Sequence, residues 1–155
     1  MIKTVLNKST VLSPCDEKTN IICPFTVKGE VNAVYIDFDY SPKNLDDFEK
    51  SKFLIKKCLS VDEPDITDDM INFNDFLPLK NLVTVSVYSP CGWVGSAHRH
   101  NPVQHHIVNK IKSSPGFISG EIVPGEWYVC INVHAVVTDE CICNLKVSVG
   151  GDGNE

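Results

Sequence analysis

Period-two alternation, repeated in three separate stretches, is the feature that most limits what this chain can become. Between Glu126 and Val136, the residues Trp127, Val129, Ile131, Val133 and Ala135 share one face, and Tyr128, Cys130, Asn132 and His134 share the other. Between Val31 and Tyr40, the residues Val34, Ile36, Phe38 and Tyr40 alternate with Tyr35, Asp37 and Asp39. From Cys141 to Val149 the inward set is Cys141, Cys143, Leu145, Val147 and Val149. Successive side chains of a strand point to opposite sides of its sheet, so each stretch reads as a strand with one buried face. Strands patterned this way belong in antiparallel sheets, because parallel ones are covered on both faces.

A clean strand falls at Leu82–Tyr88, a weaker one at Val103–Ile111, a short one at Ile21–Val27, and a further one at residues 1–12, which suit a sheet edge. Lys28-Gly29, Ser41-Pro42, Ser89-Pro90 and Thr138-Asp139-Glu140 punctuate them. Within Val103–Ile111 the alternation groups His105 with Val103 and Ile107, and reads it as the partly buried histidine of the His105-His106 pair. One segment changes period. From Asn44 to Ser60, Leu45, Phe48, Lys52, Ile55 and Leu59 follow a helical stripe, with acids in the first turns and Lys56 and Lys57 near the end. An acidic connector follows over residues 61–80, with Phe73, Phe76 and Leu77 as its expected anchors. About seven strands and one helix, without βαβ alternation, predict a mainly-β, antiparallel two-sheet sandwich with the helix on one end or edge. No repeat or linker divides the chain, so one domain is expected over residues 1–150, with a loose tail over 151–155.

Charge and cysteine usage exclude several classes. The net charge of −6 argues against a nucleic-acid partner, which demands a clustered basic face. No apolar run reaches the roughly 20 residues that span a bilayer, so no membrane partner is expected. The opening residues MIKTVLNKSTVLSPC lack the continuous apolar core of a signal peptide. The seven cysteines are odd in number and form no C-x-x-C pair. Together these predict a cytoplasmic chain whose thiols pack as small hydrophobes.

The stretch NLVTVSVYSPCGWVGSAHRHNP, residues 81–102, holds the candidate site. It opens as a strand and runs into what reads as a loop carrying Trp93, His98, Arg99 and His100. The guanidinium fork of Arg99 with two flanking imidazoles suits an anion. The imidazoles also suit a metal, and the plainest alternative is a polar loop satisfied by backbone and water. Cys130 and His134 share a strand face at roughly 13 Å, too far for common coordination. Cys141 and Cys143, at roughly 6.6 Å, face the core without the ligand spacing of a closed tetrahedral site. Cys91 has no activating base or helix terminus beside it in sequence. No catalytic residue, metal or cofactor is therefore expected. A (β/α) barrel opened by the His-x-His pattern is excluded, because it takes on the order of 200 residues or more, with helices between the strands.

Several motifs carry a family likeness. They are the strand ending Tyr88-Ser89-Pro90, the Trp93–Arg99 aromatic-glycine segment, the Ser114-Pro115-Gly116-Phe117 turn and Pro124-Gly125-Glu126-Trp127 before a long strand. With Pro24–Val27, Asp37–Pro42 and the final cysteine-bearing strand, they cover most of the chain. The chain resembles the N-terminal domain that precedes the catalytic barrel in CehA/McbA-type metallohydrolases of the PHP (polymerase-and-histidinol-phosphatase) family. The resemblance implies a jelly-roll or pre-peptidase-type accessory β-sandwich without catalytic machinery. The family's metal ligands lie in the barrel, which has no counterpart here, so none is carried over.

The function expected from these observations is a non-catalytic accessory or binding domain. Its ligand-binding residues would be Trp93, His98, Arg99 and His100, joined by Phe117 and His134 if the fold brings them together. The expected partners are a separately encoded metallohydrolase or a small polar or anionic ligand. Two alternatives stand beside it: a small metal-dependent hydrolase using His98, His100, His134 and an acidic residue, and a structural domain that pairs with a second copy.

Overall fold

The computed structural model describes residues 1–151. The expected loose tail therefore lies, beyond Gly151, outside the described residues. The strands are β1 (Ile2–Leu12), β2 (Thr19–Val27), β3 (Ala33–Ser41), β4 (Asn44–Leu45), β5 (Leu79–Lys80), β6 (Leu82–Ser89), β7 (Gly92–Ala97), β8 (Val103–Asn109), β9 (Gly125–Ala135) and β10 (Cys141–Gly150). Among the described residues a single α-helix, α1 (Phe48–Leu59), lies between β4 and β5.

The eight long strands form two four-stranded antiparallel sheets, ordered β1-β10-β3-β8 and β2-β9-β6-β7. The pairing is nested: β1 with β10, β2 with β9, β3 with β8, and β6 with β7. The chain thus behaves as one long hairpin whose turn is Ser89–Gly92, rolled so that its arms fall alternately into the two sheets. This is the jelly-roll solution for a chain of alternating strands, and the sheets stay open rather than closing into a barrel.

The inward sets meet between the sheets. Trp127, Phe38, Leu12, Ile36, Ile131 and Leu145 are fully buried, with Val34, Val83, Val85, Val87 and Val108 among them. Trp127 donates from Nε1 to the carbonyl of Val123 at 2.9 Å, which satisfies its one polar atom. Cys23, Cys141 and Cys143 pack in the same core as apolar groups.

The end carrying residues 42–81 is tied down by Asn81, which is wholly buried. Its amide donates to the carbonyl of Pro42 at 2.9 Å and to Thr138 Oγ1 at 2.8 Å, while its carbonyl accepts from the Val137 amide at 2.7 Å. Lys43 adds Nζ bonds to Tyr40 Oη at 2.7 Å and to the main-chain carbonyl of Asn81 at 2.8 Å. Burial pushes the Tyr40 phenol up to about 12, so at neutral pH it remains a hydroxyl.

Three local expectations change. The helix begins at Phe48 rather than Asn44, because Asn44–Leu45 pairs with Leu79–Lys80 and the Asp47 side chain caps the first turn by accepting from the Lys50 amide. Ile71 is the buried anchor of the connector, whereas Phe76 is exposed and Phe73 lies under Lys52. In β8 the roles of the two histidines are reversed. His106 is buried beside Gln104, and His105 is exposed and paired with Asp37. The pairing of His106 with Ile36 and His105 with Asp37 sets that phase: partners in register point to the same side.

β7 and β8 are the outer strands on one side of the sandwich, and the gap between them is closed by residues 116–118. Ser96 donates to the Gly116 carbonyl at 3.2 Å, and Ile118 donates to the Val94 carbonyl at 2.9 Å. Phe117 then enters the core against His106, with ring centroids 5.2 Å apart. The approach works only because residue 95 is glycine: an added Cβ would sit 2.3 Å from the Gly116 oxygen. Gly95→Ala is therefore expected to lose about 1–3 kcal/mol of stability by forcing this segment off β7, checked by urea unfolding.

Candidate functional site

The expected binding loop does not exist as one unit. Trp93 lies in β7, a strand that alternation alone misses, and only His98–Pro102 remain irregular. A bulge at Val94 on β7, opposite Val87 and Tyr88 of β6, pairs Tyr88 with Trp93 and shifts the phase of β7. Arg99 and His100 are exposed in the short connection to β8. The His100 carbonyl accepts from Tyr40 Oη at 3.4 Å, and the Arg99 carbonyl accepts from Gln104 at 3.3 Å, so the main chain of this connection is fastened to the body. Phe117 is a core residue and joins no surface cluster. Cys91 is exposed in the Ser89–Gly92 turn, at the opposite end of β7 from these histidines.

What the fold does bring together is the outer face of the β2-β9-β6-β7 sheet. Because Val83, Val85 and Val87 fill the core, Thr84, Ser86 and Tyr88 point outward from the strand at the centre of that face. The register places Trp93, Tyr88, Tyr128 and Pro24 side by side as one row across the four strands. The next row is Ser96, Ser86, Cys130 and Ile22, and the third contains Thr84, Asn132 and Asn20. His98 and His134 close this end, with ring centroids 6.1 Å apart.

A continuous hydrogen-bonded chain links the rows. Trp93 Nε1 donates to Ser96 Oγ at 3.0 Å, and Ser96 donates to Ser86 Oγ at 2.9 Å. The Asn132 amide donates to Ser86 Oγ at 2.9 Å and reaches Thr84 Oγ1 at 3.4 Å. Thr84 Oγ1 in turn meets His134 Nε2 at 2.8 Å and His98 Nδ1 at 3.4 Å. The Cys130 thiol donates to the Asn132 side-chain oxygen at 3.3 Å. Thr84 and Ser86 are buried although they face outward, because the neighbouring side chains stand over them. Trp93 remains 53% exposed, and Tyr88 and Tyr128 stack at 4.6 Å with an interplanar angle of 12°.

The face is also uncharged. None of the residues in these three rows, nor either histidine in its neutral form, carries a charge. The outer face of the other sheet is different: it displays Asp37 with His105, Asp39 with Asn144, and Lys146. Partial desolvation lowers the His134 imidazole from the ordinary histidine range although the residue is exposed, and His98 pushes the same way. His106 is lowered by burial first, then by Arg99 and His105. The unfolded chain therefore binds these protons more readily than the folded one. Stability present above pH of about 6.5 is lost as the pH falls toward the lowered folded values. Urea unfolding at pH 7.5 and 5.5 is expected to show this loss in the parent, and a smaller loss in His106→Gln.

Among the described residues no group of three His, Cys, Asp or Glu side chains is placed to hold a metal ion. The inward thiols of Cys141 and Cys143 interact, the Cys143 hydrogen bond lowering Cys141 while raising Cys143, and both are fully buried. Of the residues singled out from sequence, the fold thus unites Trp93, His98 and His134 on one face. The signal for the remainder was the outward set Tyr128, Cys130, Asn132 and His134, whose partners Thr84, Ser86 and Ser96 become visible only with the strand order. No protein-family model matches the chain, and no curated protein matches it.

Proposed function

We propose that this chain is a non-catalytic binding module whose working surface is the outer face of the β2-β9-β6-β7 sheet. The observation that carries the reading is the unbroken network from Trp93 to His134, lying on an uncharged face beside an aromatic row. Buried hydroxyl and amide groups that fix one another's rotamers provide a preorganised recognition surface on rigid strands. His98 and His134 supply imidazole donors and acceptors at one end, and Trp93 supplies an exposed ring at the other. Arg99 and His100 lie in the adjoining connection, where they can contact the end of a longer ligand.

The resemblance to the domain that precedes the barrel of CehA/McbA-type metallohydrolases supports an accessory role beside a separately encoded enzyme of that kind. The core packing of Cys23, Cys141 and Cys143 as thiols supports work in a reducing, cytoplasmic setting. No helix among the described residues is long and apolar enough to cross a membrane.

The test is a titration of isotope-labelled protein with a panel of neutral oligosaccharides, nucleotides, carboxylates and short peptides, followed by amide chemical shifts. The expected result is a concerted set of shifts across β6, β7 and β9 for at least one class. Shifts confined to residues 99–102, or no saturable shift at millimolar concentrations, would contradict the reading.

A further inference from the structure

The sheet face has a composition that narrows its ligand, and the argument rests on the binding reading above. Within the three rows a ligand meets no lysine, arginine, aspartate or glutamate; charge lies only beyond them, with Glu126 past Tyr128 and with Lys18 and Arg99 past the histidine end. A charge lying over the three rows themselves would have no partner of opposite sign, whether the ligand were anionic or cationic. A nucleic-acid backbone is excluded on the same ground. An apolar protein surface fits poorly as well, because the large exposed apolar side chains in these rows are Trp93 and Ile22, at opposite edges of the face.

What the face does offer is one exposed indole beside two half-buried phenol rings, with alternating donors and acceptors along the adjoining rows. Ser86 illustrates the alternation. Its buried oxygen accepts from both Ser96 and Asn132, which fixes those two half-buried side chains at the surface. Thr84 has one proton to share between two imidazole nitrogens, so one histidine must act as donor toward it or turn to a ligand.

We infer that the ligand is a neutral glycan lying across this sheet. Sugar rings combine apolar C–H faces with a rim of hydroxyls that both donate and accept. The first complements the exposed Trp93 ring, and the second complements a fixed array of hydroxyl, amide and imidazole groups that carries no charge. Trp93 also forms one wall of a shallow cleft with Ile118 and Ile122, whose one charged lining residue, Glu121, is paired with Lys110 at 2.8 Å. A chain of sugar units leaving the aromatic row would continue into that cleft, so longer oligomers should bind more tightly than single sugars.

The test uses the full chain with linear neutral oligosaccharides of increasing length, of α-1,4-glucan, β-1,4-glucan and β-1,4-xylan type, read by calorimetry and tryptophan fluorescence. Trp93 is exposed and Trp127 is buried, so a fluorescence change on binding reports Trp93. At least one series should bind saturably, with affinity rising with length. Trp93→Ala should weaken it roughly tenfold or more, and Trp93→Phe should restore part of the loss. Trp93→Ala binding as tightly as the parent would overturn the inference. So would a panel in which a charged ligand or peptide shifts the face and neutral oligosaccharides do not, an outcome that leaves the binding reading standing. Silence from every member of the panel would overturn both.

Discussion

Trp127→Ala should be among the most damaging single substitutions in the chain, with an expected loss of about 3–5 kcal/mol. The side chain is 2% exposed, packs against Phe25 with ring centroids 6.2 Å apart, and sits between the two sheets on β9, a strand hydrogen-bonded on both sides. Truncation removes the largest side chain of the core, and paired strands cannot collapse into the space without breaking register. Since a domain of this kind is stable by only about 5–15 kcal/mol in total, the variant should be near the limit of folding at 37 °C. Trp127→Phe separates the two contributions. It retains most of the ring but leaves the Val123 carbonyl without its donor, at an expected cost of about 1–3 kcal/mol. Urea midpoints for the two variants check the order, and equal losses would contradict it.

Asn81→Leu should rank beside it, for a different physical reason. Leucine nearly matches the volume and is at home in a core, so packing alone predicts little change. The loss comes from polar groups that give up a partner beside a buried side chain: the Pro42 carbonyl, the Val137 amide, and the Thr138 hydroxyl, which keeps only its bond to the Glu140 carbonyl. Each buried group left unpaired costs about 1–3 kcal/mol, so a total of roughly 3 kcal/mol or more is expected. The damage should also be local. Asn81 joins the insertion over residues 42–81 to the β9–β10 connection, so that end should open at a lower free energy than the sandwich. Limited proteolysis should then cut first within residues 61–70 of the variant, at conditions that leave the parent intact. Cleavage spread evenly over the chain would contradict this account.

The sandwich was legible because β3, β9 and β10 each carry their burial in an unbroken period of two. Their inward residues in sequence are, with Ala135 half-exposed as the exception, the core of the structure. What was not legible depended on contacts between distant residues. β7 reads as a loop because a bulge at Val94 and two glycines erase its alternation, and the strand exists by pairing with β6 and residues 116–118. The start of α1 cannot be read from the periodicity because Asn44 and Leu45 take a partner some thirty-five residues later, a preference no local pattern contains. His105 and His106 exchanged roles because their phase is set by β3 rather than by their own neighbours.

The candidate site shows the same division. Its residue types were visible: Trp93, His98 and His134 were all singled out, and Phe117 was grouped with them although it belongs to the core. The hydroxyls that connect them were not, because serine and threonine on a strand carry no signal until the neighbouring strands are known. Once β7, β6 and β9 are placed in order, Ser96, Ser86, Asn132 and Thr84 become one network. The weight of the site then moves from the Arg99 connection onto the sheet.

The claim that the sheet face, rather than this connection, is the binding surface is tested most directly by comparing Trp93→Ala with Arg99→Ala. Both side chains are exposed, so both variants should keep the parent's thermal midpoint. For a ligand that shifts the parent's amide signals, calorimetry should give Trp93→Ala an affinity lower by about tenfold or more, and Arg99→Ala an affinity within about threefold of the parent. The opposite ranking, with binding lost in Arg99→Ala and kept in Trp93→Ala, would return the site to the connection between β7 and β8 and contradict the account.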